Sequence, residues 1–158
     1  MGILSHYLFL SVCGYLTGVL CLVLAFLVFQ ANPRSRSCQI TGLFNLSVAT
    51  WAVFYATMYH TNNDAFGMLA SQILTFGTIL LSVFFTHLVL VVVKKEKNQK
   101  KLLFINYLLG GILILIIFAT RLIVESTPPK FGFKSYTEGG PLYILVPIYL
   151  FANVLYSL

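Results

Sequence analysis

The sequence predicts an all-α membrane protein, a polytopic bundle of five transmembrane helices with the N-terminus outside and the C-terminus inside. Three observations predict it. Of 158 residues, 59% are hydrophobic and 9% charged, where a soluble domain carries about 25% charge. The mean hydropathy of +0.91 is high, and it is gathered into runs of about 20 apolar residues, the length that crosses a hydrocarbon core as a helix. Seven of the ten Lys and Arg residues sit in two of the polar connectors between those runs, and positive connectors stay on the cytoplasmic side.

The first helix is expected at about residues 7–29. No Lys or Arg precedes it and no small-residue cleavage site follows, so it reads as a retained span. Asn32-Pro33-Arg34-Ser35-Arg36 then breaks the helical pattern, because proline disfavours helix at itself and at the residue before it. The second helix follows at about residues 42–59. His60-Thr61-Asn62-Asn63-Asp64 is a turn whose Asn and Asp side chains can accept from the first amides of the next helix. The third helix, about 65–93, is long enough to tilt. Lys94-Lys95-Glu96-Lys97-Asn98-Gln99-Lys100-Lys101 separates it from the fourth, about 102–124.

Residues 125–140 form the longest connector, polar, aromatic and rich in Gly and Pro. The fifth helix is expected over 141–158, opening on Pro141, whose missing N–H would have been unpaired there anyway. Pro147 removes a bond to the Tyr143 carbonyl and is expected to kink it. The whole is read as a single membrane domain over residues 1–158, incomplete at its C-terminal end.

Composition also excludes function classes. The net charge of +6 accompanies no folded basic module, so nucleic acid is not an expected partner; membrane lipid is, including anionic headgroups at the lysine-rich loop. Cys13, Cys21 and Cys38 are odd in number and make no disulfide framework. No Gly-rich phosphate loop, paired catalytic carboxylates or Ser/His/Asp set occurs, so no cofactor and no enzymatic activity are expected.

Candidate functional residues are few because no carboxylate lies inside any run. Ser71, Thr75, Thr78, Ser82 and Thr86 recur every three or four positions and draw one small polar stripe down the third helix, either a packing seam or a permeation path. His87 stands about 9 Å inside the cytoplasmic end, either a neutral histidine satisfied by a neighbouring helix, the commoner case, or a protonation switch or hydrogen-bond hub. Arg121 is read as an anchor at the outer end of the fourth helix. Trp51, Tyr55 and Tyr59 recur every four residues near the same level as Tyr7, Phe131, Tyr136 and Tyr143. They make either an aromatic belt at the headgroups or a pocket for a small amphipathic signal under the 125–140 loop. His6, His60 and Asp64 are a thin case for a metal or pH site, and no metal site is assigned. Gly14-x-x-x-Gly18 is a close-packing motif of the first helix.

A pattern of residues runs through these elements. It comprises Asn32-Pro33-Arg34-Ser35, then Phe44, Trp51 and Tyr55, then Phe85-Thr86-His87 before the basic loop, Tyr107, Phe131-Gly132 and Gly139-Gly140-Pro141-Leu142-Tyr143. In order and spacing it resembles the N-terminal seven-helix membrane module of bacterial sensor histidine kinases. The resemblance implies a multi-pass sensory module in the bacterial cytoplasmic membrane. Such a module binds a signal at the outer side and passes a change of helix packing inward, to a homodimer or kinase partner. It further implies two more helices and a kinase domain that this sequence does not contain, so a truncated product or a remnant acting through partners is expected. A small transporter or channel subunit, or a membrane assembly protein, is the alternative reading of the residues.

Overall fold

A computed structural model describes residues 2–157, with side chains from residue 8 onward. The order of elements is α1 (Gly2–Ala31), α2 (Arg36–Thr57), α3 (Asp64–Val92), α4 (Lys100–Ala119), β1 (Val124–Ser126), β2 (Glu138–Gly139) and α5 (Leu145–Ser157). This is a helical bundle with one small antiparallel hairpin, β1–β2, set between its last two helices. Among the described residues, four helices are long and apolar enough to cross a membrane: Leu8–Ala31, Arg36–Thr57, Asp64–Val92 and Lys100–Ala119.

Small residues decide how the helices pack. A Cβ added at Gly14 of α1 would stand 2.9 Å from the Cβ of Ala56, so the G-x-x-x-G motif lies directly on α2. On its other side α2 meets α3, where a Cβ at Gly77 would stand 3.0 Å from the Trp51 amide. In turn α3 packs against α4 and α5. Ile79 and Val83 of α3, Leu113 and Ile117 of α4, Val146 and Tyr149 of α5, and Ile123 and Val124 beside the hairpin form one buried cluster. Outward, α1 and α4 present leucine, isoleucine, valine and phenylalanine, a surface whose natural solvent is lipid.

Four boundaries differ from the expectation, the first being that α1 already begins at Gly2. The fourth helix stops at Ala119 instead of continuing to residue 124. Thr120 is extended, its hydroxyl donates to the Ile116 carbonyl at 2.7 Å, and it accepts from the Leu122 amide at 3.3 Å. Leu122-Ile123-Val124 therefore enters a strand, and an apolar run this short does not by itself tell strand from helix. Arg121 consequently lies in the connector and anchors no helix end.

The fifth helix begins at Leu145, not at Pro141, because the Leu142 amide is held by the Leu122 carbonyl at 2.8 Å and residues 141–144 form turns. Pro147, expected to kink this helix, instead stands in its first turn, where a missing N–H costs no helical bond. The second helix starts earlier than expected, at Arg36. The third starts as expected, with the Asn63 side chain accepting from the Phe66 amide at 3.1 Å.

Candidate functional site

Two hydrogen-bonded junctions give the bundle chemically distinct ends. Arg36 Nε donates to Glu96 Oε1 at 3.1 Å, which joins the α1–α2 and α3–α4 connectors into a basic end containing Arg34, Arg36 and Lys94–Lys101. At the opposite end the Ser135 amide donates to the Met58 carbonyl at 3.1 Å and its hydroxyl to the Thr61 carbonyl at 3.0 Å. This end is acidic only by contrast with the other: it holds three of the four carboxylates, Asp64, Glu125 and Glu138, matched in number by the cations Arg121, Lys130 and Lys134.

At the acidic end the hairpin segment folds over α2 and α3. Ser71 and Thr137 share a hydroxyl bond of 2.6 Å, and Ser126 Oγ donates to Glu138 at 2.6 Å. Lys130 Nζ donates to the same carboxylate at 2.5 Å. These two donors and the lysine charge hold the Glu138 carboxyl below its ordinary range.

Of the aromatic residues singled out in sequence, the structure brings five together, Trp51, Tyr55, Tyr59, Tyr136 and Phe131, the last meeting Tyr136 edge-on at 5.3 Å. Trp51 stacks on Tyr55 (5.4 Å between centroids), Tyr55 meets Tyr59 edge-on (5.6 Å), and their hydroxyls bond at 3.1 Å. Phe133 from the hairpin stacks on Tyr59 at 4.0 Å and touches Tyr136 at 5.5 Å. Tyr143 stands apart, its ring lying over Gly139. The rings thus form a continuous ladder between α2 and the hairpin.

Next to the ladder is a cavity of about 770 Å³ lined by Asp64, Ala65, Met68, Arg121, Glu125, Ser126, Thr127, Pro128 and Pro129. None of the rings singled out in sequence lines it. Two of the chain's four carboxylates face it together with one arginine, and none of these three side chains has a hydrogen-bond or ion-pair partner among the described residues. Sequence reasoning missed this site because Arg121 was placed on a helix and Glu125 at a loop edge. The available signal was the rarity of charge itself, with Asp64 and Glu125 flanking the two helices that meet there. His60, grouped in sequence with Asp64, is bonded to Ser11 Oγ at 2.7 Å. The side chain of His6, like that of Tyr7, lies outside the described residues. Among those described, no three His, Cys, Asp or Glu residues gather as metal ligands.

From this cavity α3 runs unbroken to the basic end, a distance of about 35 Å from Asp64 to His87 at 1.5 Å per residue. Along it Ser71, Thr75, Ser82 and Thr86 are buried and Thr78 is half-buried. Thr75 and Thr78 donate back to the Ser71 and Leu74 carbonyls, while Thr86 donates to Asn153 Oδ1 of α5 at 2.7 Å.

Buried His87 closes the stripe and joins four segments. Its Nδ1 meets the Tyr107 hydroxyl of α4 at 2.8 Å and its Nε2 meets Glu96 Oε1 at 3.2 Å, the same oxygen that holds Arg36 of α2. A neutral imidazole satisfies both contacts when Tyr107 donates to Nδ1 and Nε2–H donates to the carboxylate. Burial pushes the Glu96 carboxyl upward, but the His87 hydrogen bond and the Arg36 charge outweigh it and hold the group below its ordinary value.

The family model described as the N-terminal 7TM region of histidine kinase matches residues 14–158. The matched region is the membrane region, so no residue from 14 to 158 falls to a kinase catalytic domain. Neither a curated protein nor a solved structure matches the chain.

Proposed function

Because the chain belongs to the family of the N-terminal 7TM region of histidine kinase, a sensory membrane module of bacterial two-component signalling, we propose that its signal enters at the acidic end. The site is the cavity between the start of α3 and residues 121–129. Residues 1–158 act as one sensory unit of the cytoplasmic membrane, with the acidic end outside and the basic end inside, where a kinase partner reads the output. The positive connectors support this orientation. The short α5 is taken as the fifth crossing: it follows the hairpin at the acidic end, and by Ser157 it reaches Thr86 and a hollow shared with Lys95.

The observation that carries the reading is the set of three unpaired charges, Asp64, Arg121 and Glu125, facing one cavity whose other walls include Met68, Pro128 and Pro129. Such a lining fits a small amphipathic ligand with a cationic or zwitterionic head. Asp64 and Met68 belong to α3, whereas Arg121 to Pro129 belong to the hairpin segment. A ligand that bridges the two walls therefore has different affinity for each spacing between them, the condition for any signal to shift a packing equilibrium. The ring ladder from Phe133 to Trp51 and the unbroken α3 are the two routes by which that spacing reaches the rest of the bundle.

Trp51 is the sole tryptophan, stacked on that ladder, so its emission reports the movement. The chain in nanodiscs is titrated with hexyl and octyl ammonium, zwitterionic and carboxylate compounds below their micellar concentrations. We expect a saturable emission shift with the ammonium or zwitterionic members, weakened about fivefold by Glu125→Gln or Asp64→Asn, the scale of one solvent-facing ion pair. Emission that ignores every class, or that responds in both variants as it does in the parent chain, overturns the proposal.

A further inference from the structure

We propose that the basic end contains a built site for one anionic phospholipid, held between α4, α5 and the α3–α4 loop. Two hollows adjoin there. One, of about 240 Å³, is a groove between α4 and α5 walled by Leu102, Ile105, Leu109, Ala152 and Tyr156, with Asn106 and Asn153 among its lining. The other, of about 220 Å³, is lined by Val93, Lys95, Gln99 and again Tyr156. Tyr156 is the wall common to both. A single molecule occupying them meets an apolar groove along one part and a cation with an amide along the other.

The polar half is arranged for an anion. Lys94 adopts a left-handed backbone at φ 58, and the Lys95 amide closes onto the Leu90 carbonyl at 2.9 Å, a reversal that places Lys95 beside Gln99. With the Lys94 amide on the Val91 carbonyl at 3.1 Å, this is the common left-handed ending of a helix, and its effect here is to fix where Lys95 stands. The neighbouring N-terminus of α4 has no side-chain cap at Gln99, so its first-turn amides remain open to an anionic acceptor. Exposed Lys100 and Lys101 begin the same helix.

The groove is arranged for the rest of the lipid. Asn106 lies about 10 Å along α4 from Gln99, and it is buried with Nδ2 lacking any acceptor among the described residues. Its Oδ1 accepts from the Tyr149 hydroxyl. Turning the amide over exchanges the problem without removing it, because Oδ1 is then the unpaired atom. An orphaned amide at hydrocarbon depth is expensive. A small rotation presents it to the groove, where the ester carbonyl of a glycerolipid supplies the acceptor. Hydrocarbon suits the apolar groove and an anionic headgroup suits Lys95 and Gln99, so charge complementarity across the two adjoining hollows selects an anionic lipid as the single occupant.

The full chain is reconstituted with phosphatidylglycerol or phosphatidylcholine, and lipid retained after delipidation is counted by native mass spectrometry. One phosphatidylglycerol is expected to be retained in preference to phosphatidylcholine. Lys95→Gln lowers its retention about fivefold, the scale of one basic residue at a lipid surface. Lys97→Gln removes the same charge from the same loop without touching either hollow, and it leaves retention unchanged. Ala152→Phe fills the groove and expels the lipid. Equal retention of both lipids overturns the site, as does an equal loss in Lys95→Gln and Lys97→Gln, which reads the diffuse field of the loop. Cross-linking of Tyr156→Cys between two copies in phosphatidylglycerol also overturns it, by assigning the groove to a second chain.

Discussion

Phe131 and Gly132 turn the tip of the hairpin segment with φ of 52° and 81°, between the bridged residues Lys130 and Phe133. Two successive left-handed residues are the signature of the tight turn that matches strand twist, and glycine adopts that conformation freely where phenylalanine does not. The strain at Phe131 is not offset by burial, since its ring is 76% exposed. Phe131→Asn relieves it, and the chain in nanodiscs should gain about 1 kcal/mol, or roughly 2–4 °C in Tm. An unchanged or lower Tm would show that the ring's contact with Tyr136 outweighs the backbone cost. At this scale the sequence is partly legible. Gly132 marks a turn, but nothing in it reveals that Phe131 shares the left-handed backbone. His87 was visible as a buried polar residue, whereas its partners Glu96 and Tyr107 come from other elements and are set by packing alone.

The packing of α1 on α2 rests on the absence of side chains. A Cβ at Gly14 would meet the Ala56 Cβ at 2.9 Å and the Ala52 carbonyl at 3.2 Å, and neither can swing aside. Gly14→Leu must push the helices apart, with an expected cost of about 1–3 kcal/mol measured as a lower Tm in nanodiscs. Gly111 of α4 is the control: nothing lies within 4 Å of its added Cβ. Gly111→Ala should be neutral or stabilising by up to about 1 kcal/mol through helix propensity. A Gly14→Leu variant as stable as the parent would mean that α1 does not seat on α2 through this motif. The four long helices were legible because a bilayer demands length and hydropathy, which composition records directly. The end of α4 was not, because Leu122-Ile123-Val124 is apolar in either conformation. What decides for a strand is the Thr120 hydroxyl and the pairing of Val124 with Gly139, fifteen residues further on. The candidate cavity follows from that same strand, so it was hidden together with it.

Across the whole molecule the positive charges are gathered mostly at one end. Seven of ten Lys and Arg residues fall in the two connectors that Arg36 and Glu96 tie together, whereas the end opposite balances Arg121, Lys130 and Lys134 against Asp64, Glu125 and Glu138. Each added positive charge raises the cost of carrying a short connector across the membrane, so the basic end should stay in the cytoplasm and the acidic end should face out. Asn62, in the α2–α3 connector, and Asn98, in the α3–α4 connector, are both exposed and stand on either side of α3. Asn62→Cys should react with a membrane-impermeant maleimide on intact cells. Asn98→Cys should react only after permeabilisation. Cys13 and Cys21 lie within the α1 span and Cys38 near the basic end, so the parent chain gives the background for both. The reverse pattern would invert the orientation and place the charged cavity inside, where an external signal cannot enter it. Labelling of both positions from one side would remove α3 as a span, and with it the route that links the cavity to His87.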